Sequence, residues 1–139
     1  MDIRKIDDSI SVAPQIEAGD LASLAELGFR SVICNRPDGE APDQTGQQVI
    51  AEATEAAGLE FRFLPLSPGQ LTPQLVGEFG AALAEMPGPV LAYCRSGTRS
   101  ATLWALSQSG KRSPQDILRM AADAGYDLGG IAGALAPQG

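Results

Sequence analysis

Histidine is absent from this 139-residue chain, and that absence removes a set of chemistries before any motif is read. Without imidazole there is no Cys-His dyad, no Ser-His-Asp triad and no histidine ligand for a metal. Cysteine is scarce too. The two present, Cys34 and Cys94, stand far apart, without the paired spacing of a structural zinc site, and one pair does not make a disulfide scaffold. No metal or cofactor is expected, and both thiols are expected to be reduced. Basic residues are outnumbered, 10 Lys and Arg against 17 Asp and Glu, for a net charge of −7. The acidic residues are spread along the chain, so neither nucleic acid nor an anionic membrane surface is an expected partner. Apolar runs of the ~18–20 residues needed to span a bilayer are missing, as is a charged-then-apolar leader. A cytoplasmic location is the resulting expectation. What the chain does have is 44% hydrophobic residues, enough for one core and one domain over residues 1–139.

Extended and helical segments alternate along it. Ile3–Ile6 and Ile10–Val12 read as an opening hairpin, and Asp20 as the cap of a helix carrying Leu21, Leu24, Ala25 and Leu27 and ending at Gly28. Phe29–Cys34 reads as a buried strand, residues 35–45 as a polar loop, and Gly46–Ala57 as a helix closed by Gly58. Leu59–Leu66 reads as a strand, and Ser67-Pro68-Gly69 as a turn. Thr72-Pro73 opens a helix to Met86, and Gly88–Tyr93 is the next strand. A helix with Ala101, Leu103, Trp104 and Leu106 follows, and Trp104 at that spacing belongs to the core. Ser113-Pro114 starts a helix through Ala124, and the glycine-rich and alanine-rich stretch Leu128–Ala136 is expected to be helical. Strands separated by helices predict an α/β domain, its mostly parallel central sheet flanked by helices on both faces. Ligands of such sheets lie beyond the carboxyl ends of the strands, where the loops after Cys34 and after Tyr93 both emerge.

The chemistry concentrates in Cys94-Arg95-Ser96-Gly97-Thr98-Arg99-Ser100, where an apolar strand ends in a cysteine and an arginine opens the next helix. Backbone N–H groups from Arg95 through Ser100 are expected to converge on one point, because a tight loop feeding a helix N-terminus leaves its donors unsatisfied. Those donors, the helix dipole and the Arg99 guanidinium favour a thiolate at Cys94, which is therefore the expected nucleophile. Gly97 supplies a position of positive φ. Arg99 supplies a planar fork for a tetrahedral oxyanion. Arg95 is a candidate for recognising substrate charge, and Ser96, Thr98 and Ser100 complete the cradle. A second candidate set follows Cys34: in Asn35-Arg36-Pro37-Asp38-Gly39-Glu40, Arg36 could bind an anionic group of a substrate and Asp38 could hold Arg99 or donate a proton. The same residues also make a good turn. Cys34 itself reads as a small buried hydrophobe, with a resolving thiol as the alternative.

The Cys94–Ser100 loop resembles the active-site loop of rhodanese-type sulfurtransferases, in which a cysteine carries a sulfane sulfur as a persulfide. Tyrosine and dual-specificity phosphatases place five residues between cysteine and arginine, whereas four separate Cys94 from Arg99. From about Ile3 to Gln108 the chain is similar to the small bacterial sulfur transferases that also occur as the phosphatase-like domain of beta-lactamase-hydrolase-like proteins. Ile10–Ile16, Ser31–Glu40 and Gly88–Trp104 carry the likeness. The resemblance implies a dual-specificity-phosphatase-like fold put to sulfur chemistry. Cys94 would then take sulfur from a small sulfur-containing anion such as thiosulfate, or from a persulfide donor, and pass it to a thiol acceptor or cyanide. Two alternatives stay open: a cysteine phosphatase working through a phosphocysteine, and a noncatalytic anion or persulfide sensor. Against the phosphatase stands Pro65–Thr72, which holds no acid where phosphatases of this fold usually carry their general-acid aspartate.

Overall fold

The computed structural model describes residues 1–138 of the chain. One five-stranded sheet runs in the order β1-β2-β5-β3-β4, with β1 at Arg4–Lys5, β2 at Ile10–Ala13, β3 at Ser31–Cys34, β4 at Glu60–Phe63 and β5 at Val90–Tyr93. β1 pairs antiparallel with β2, and every other pairing is parallel. Five helices cover it: α1 (Leu21–Glu26), α2 (Gln47–Ala56), α3 (Pro73–Glu85), α4 (Thr98–Ser107) and α5 (Pro114–Asp123). The single-domain α/β fold with a mostly parallel sheet is therefore the one the alternating pattern predicts.

β5 occupies the middle of the sheet, and every residue of its Val-Leu-Ala-Tyr run is buried. A strand covered on both faces needs a continuous apolar run, and the two faces then divide it by alternation. Val90 and Ala92 join Ile10, Val12 and Ile33 in one layer, closed by Phe79 of α3, Trp104 of α4 and Ile117 of α5. Leu91 and Tyr93 join Val32 and Cys34 in the other, closed by Leu21 and Leu24 of α1 and Ile50 of α2. Trp104 is buried as expected.

Helix starts follow the caps where the sequence is explicit. Thr72 and Ser113 each accept a backbone N–H three residues on, from Leu75 and Asp116, with proline at the first helical position. Two expectations need correction and a third is narrowed. Asp20 stands at the N-cap of α1, but its side chain does not cap that helix. Its carboxylate accepts the Glu17 N–H at 2.8 Å, so a capping box opens a 3₁₀ turn at Ala18–Asp20 and α1 grows out of that turn. The fourth strand is shorter than Leu59–Leu66 because its partner β3 stops at Cys34; beyond Phe63, Leu64 and Leu66 donate to the Cys34 and Asn35 carbonyls as the chain leaves the sheet. Leu128–Ala136 is helical as expected, but only over Gly129–Ala134 and as a 3₁₀ segment, in keeping with three glycines in six residues, which raise the backbone entropy cost of an α-helix. Among the described residues no helix is long and apolar enough to cross a membrane.

β5 is the central strand, and every one of its residues is buried. Leu91→Ala, at a position with no exposed surface, should cost about 2–5 kcal/mol, read as a lowered urea midpoint with an unchanged m-value.

Candidate active site

The carboxyl end of β5 is held by both neighbours. The Cys94 N–H donates to Ala13 O at 3.3 Å, the Asn35 N–H donates to Tyr93 O at 2.8 Å, and the Gln15 N–H donates to Arg95 O at 3.3 Å. Asn35 extends this grip through a buried side chain: its Nδ2 donates to Leu64 O at 2.9 Å and its Oδ1 accepts from Ser100 Oγ at 2.8 Å. Ser100 is fully buried. Its hydroxyl therefore ties the first turn of α4 to the end of β3, and does not line the cradle as expected.

Gly97 has φ +93° and serves as the N-cap of α4. A Cβ there would be strained by that conformation and would also collide with the Tyr126 side chain. Of the amides expected to converge on Cys94, that of Gly97 donates to Sγ at 3.1 Å. The Thr98 amide turns instead to Ser96 Oγ at 3.3 Å, and Ser96 Oγ donates to Thr98 Oγ1 at 3.1 Å. Cys94 has no exposed surface of its own.

Arg99 sits in the first turn of α4 and reaches back across the loop. Its Nη1 and Nη2 bind Glu40 Oε2 and Oε1, each at 2.8 Å, and Nη1 also donates to Leu66 O at 2.7 Å. Two parallel N–H···O bonds to one carboxylate fix a guanidinium in plane and direction. Hydrogen bonding to Glu40 raises Arg99 further above its ordinary value, and the nearby Cys94 sulfur adds to the rise. Glu40 is held below the usual carboxylate range, chiefly by the Arg99 hydrogen bonds and then, against some desolvation, by Arg36. Glu40, Pro68, Arg95 and Arg99 line an open cleft of about 450 Å³.

Arg36 and Asp38 have roles other than those expected. Arg36 is buried; its Nε donates to Glu40 Oε1 at 3.1 Å and its Nη1 to Gln15 Oε1 at 3.0 Å, so it supports Glu40 and does not face a substrate. Asp38 does not hold Arg99. Its Oδ1 accepts the Gln47 N–H at 2.8 Å, capping α2, whose N-cap residue Gly46 has no side chain to do so. The acid that holds Arg99 is Glu40, two residues on. The only sequence signal for it is the i,i+4 spacing from Arg36, which also describes an ordinary loop ion pair.

Cys34 is a free, buried thiol. It belongs to the Tyr93 face of the sheet and donates to Arg36 O at 3.3 Å, and burial pushes its thiol up. Cys34 lies in register with Tyr93, and Cys94 follows directly after the end of that strand. The Tyr93 hydroxyl is buried with no partner in hydrogen-bonding geometry, and desolvation raises it strongly. Among the described residues no cluster of potential metal ligands exists.

Residues 2–111 match the profile described as the phosphatase-like domain of beta-lactamase hydrolase-like proteins. A beta-lactamase hydrolase-like protein of Agrobacterium fabrum is 36% identical over 126 residues, covering 89% of this chain and 29% of that protein. The chain thus spans less than a third of the curated relatives it matches. Among solved structures, a candidate phosphatase of Neisseria meningitidis superposes with a TM-score of 0.86 at 32% identity, over 96% of this chain and 95% of the other. The core catalytic domain of the PP-IP phosphatase Siw14 of S. cerevisiae, solved with citrate, has the same fold at a TM-score of 0.66 and 15% identity, over 90% of this chain and 76% of that one. These findings overturn the sulfurtransferase expectation, since family and fold neighbours are phosphatases or phosphatase-like. The four-residue spacing misleads because it counts residues along the chain. α4 begins at Thr98, so its first turn still carries the guanidinium back beside the sulfur.

The Glu40 clamp gives a signed prediction. A carboxylate whose folded value is depressed adds stability that is fully present above its unfolded value and is lost as pH falls through the folded one. Glu40→Gln should therefore cost about 1–3 kcal/mol near neutral pH. Denaturation at a series of pH values should show the gap to the parent protein closing only below the ordinary carboxylate range of about 4.

Proposed function

Because the chain belongs to the family of phosphatase-like domains of beta-lactamase hydrolase-like proteins, we propose that it is a cysteine-dependent phosphatase that accepts a phosphoryl group onto Cys94. The observation that carries this reading is the Arg99 fork, fixed by Glu40 and Leu66 O beside the Cys94 sulfur at the end of the central strand. A planar guanidinium matches two oxygens of a tetrahedral phosphoryl group, and the Gly97 N–H adds a donor on the nucleophile's side. In the first step the thiolate forms an S–P bond while the P–O bond breaks, its electron pair leaving with the departing oxygen. Water then cleaves the S–P bond, releasing phosphate and restoring the thiolate. Little covalent help is asked of the protein in such a transfer; positioning and charge stabilisation carry it.

The proton for the leaving group has no obvious donor. Glu40 is held ionised by two guanidiniums, Asp38 is engaged with the Gln47 amide, and Pro65–Thr72 has no acid. The substrates that fit are those whose leaving group departs well as an anion: aryl phosphates, acyl phosphates and phosphoanhydrides.

Phosphate release should be measured on a series of aryl phosphates and one alkyl phosphate. Cys94→Ser should lower turnover by about a thousandfold or more, the scale of losing a nucleophile. Rates should fall steeply as the leaving phenol becomes more basic, and Asp38→Ala should leave kcat within about twofold while costing about 1 kcal/mol of stability from the lost cap. Absence of Cys94-dependent phosphate release across the series would sink the proposal. A flat leaving-group dependence would instead remove the claim that no proton donor acts.

A further inference from the structure

The loop that cradles Cys94 is held from behind by a residue distant in sequence. α5 ends in a Schellman turn: Ala124 is the C-cap, Gly125 follows with φ +102°, the Gly125 N–H donates to Ala122 O at 2.9 Å and the Tyr126 N–H to Ala121 O at 2.9 Å. That turn fixes the point from which the Tyr126 side chain leaves the backbone. The Arg4 guanidinium of β1 lies against Gly125, where a Cβ would stand 2.8 Å from Nη1, so the turn is braced on its other side as well. The half-buried Tyr126 ring packs on the core layer beneath α4, and its hydroxyl arrives at the cysteine loop.

There the hydroxyl donates to Ser96 O at 3.3 Å. The carbonyl it meets belongs to the peptide unit whose other end is the Gly97 N–H, the donor 3.1 Å from Cys94 Sγ. In a planar trans peptide the C=O and N–H point in opposite directions. Anchoring the carbonyl on the rear side therefore presents the N–H to the sulfur on the front. Glycine does not supply this choice, because it accepts positive and negative φ about equally, and a peptide flip at Gly97 would turn the carbonyl toward the anion. The space that Tyr126 fills is the space a Cβ at Gly97 would need. The missing side chain and the tyrosine are two halves of one fit.

We infer that Tyr126 is a positioning residue for the nucleophile: its hydroxyl holds the Ser96–Gly97 peptide in the orientation that offers an N–H to Cys94 and to an oxyanion bound beside it. This rests on Cys94 being the reactive thiol in the proposed phosphatase, and it adds a part lying beyond the residues that match the family profile.

Tyr126→Phe removes the hydroxyl and keeps the ring. Two readouts require no phosphate ester, so they remain informative even if no ester is turned over. One is the rate of Cys94 carboxymethylation by iodoacetate at fixed near-neutral pH, with the site located by peptide mass spectrometry. The other is protection of Cys94 by tungstate, a tetrahedral oxyanion. The phenylalanine variant should alkylate more slowly and need more tungstate for half-protection, each by about threefold to tenfold, the worth of one hydrogen bond. Its melting midpoint should stay within about 2 °C of the parent, since the removed bond is solvent-accessible and singly made. Tyr126→Leu, which removes ring and hydroxyl together, should show at least the same loss. Both readouts unchanged in Tyr126→Phe would overturn the inference. So would losses that disappear when the variants are compared at equal distance below their melting midpoints, because the effect would then be one of folding and not of peptide orientation.

Discussion

A single carboxylate, that of Glu40, sets the arrangement of charge around the sulfur. It takes two N–H···O bonds from Arg99 and one from Arg36, so a lone negative charge lies between two positive ones on the wall of the open cleft. Removing it would leave two guanidiniums facing each other without their counter-charge. The arrangement is also why Arg99 points where it does. A long side chain with several rotatable bonds loses considerable entropy when fixed. Here the fixation is done by the fold, before any ligand arrives, and binding need not supply it again.

The two loops that meet at this carboxylate are neighbours because of strand order and not because of chain order. β5 lies between β2 and β3, so the loop after β3 and the loop after β5 leave the sheet side by side. Asn35 locks that adjacency with its backbone on Tyr93 and its side chain between Ser100 and Leu64. A buried amide with both ends satisfied is costly to disturb, since any shift leaves a polar group unpaired in a low-dielectric place. Register at the sheet edge and the seating of α4 are therefore one structural decision.

Much of this is legible from residues whose partners are near them in sequence. The apolar run ending at Cys94, the proline-led helices after Thr72 and Ser113, and the Gly97 turn each announce themselves within a few positions, and the parallel sheet follows from their alternation. Cys94 and Arg99 stand out because the loop is local. Glu40 is passed over for Asp38 because choosing between two acids flanking Gly39 depends on that glycine's turn, at φ +78°, and on which way the loop then faces. Arg36 looks free because nothing in its surroundings in sequence places Gln15 next to it. Tyr126 gives no signal at all, since its contact with Ser96 spans thirty residues and depends on how α5 stops. The expected sulfur chemistry fails for a related reason: a count of residues between cysteine and arginine is not a distance.

The placement of the proposed nucleophile just beyond the end of the innermost strand has a further effect. Edge strands and surface loops open by small local fluctuations, whereas a central strand bonded on both sides opens only when much of the sheet does. The Cys94 N–H is bonded to Ala13 O, and the strand before it is flanked along its length by β2 and β3. The proposed nucleophile thus follows a strand bonded on both sides, and any flexibility that turnover requires has to come from the rim, where Arg95 and Pro68 border the cleft.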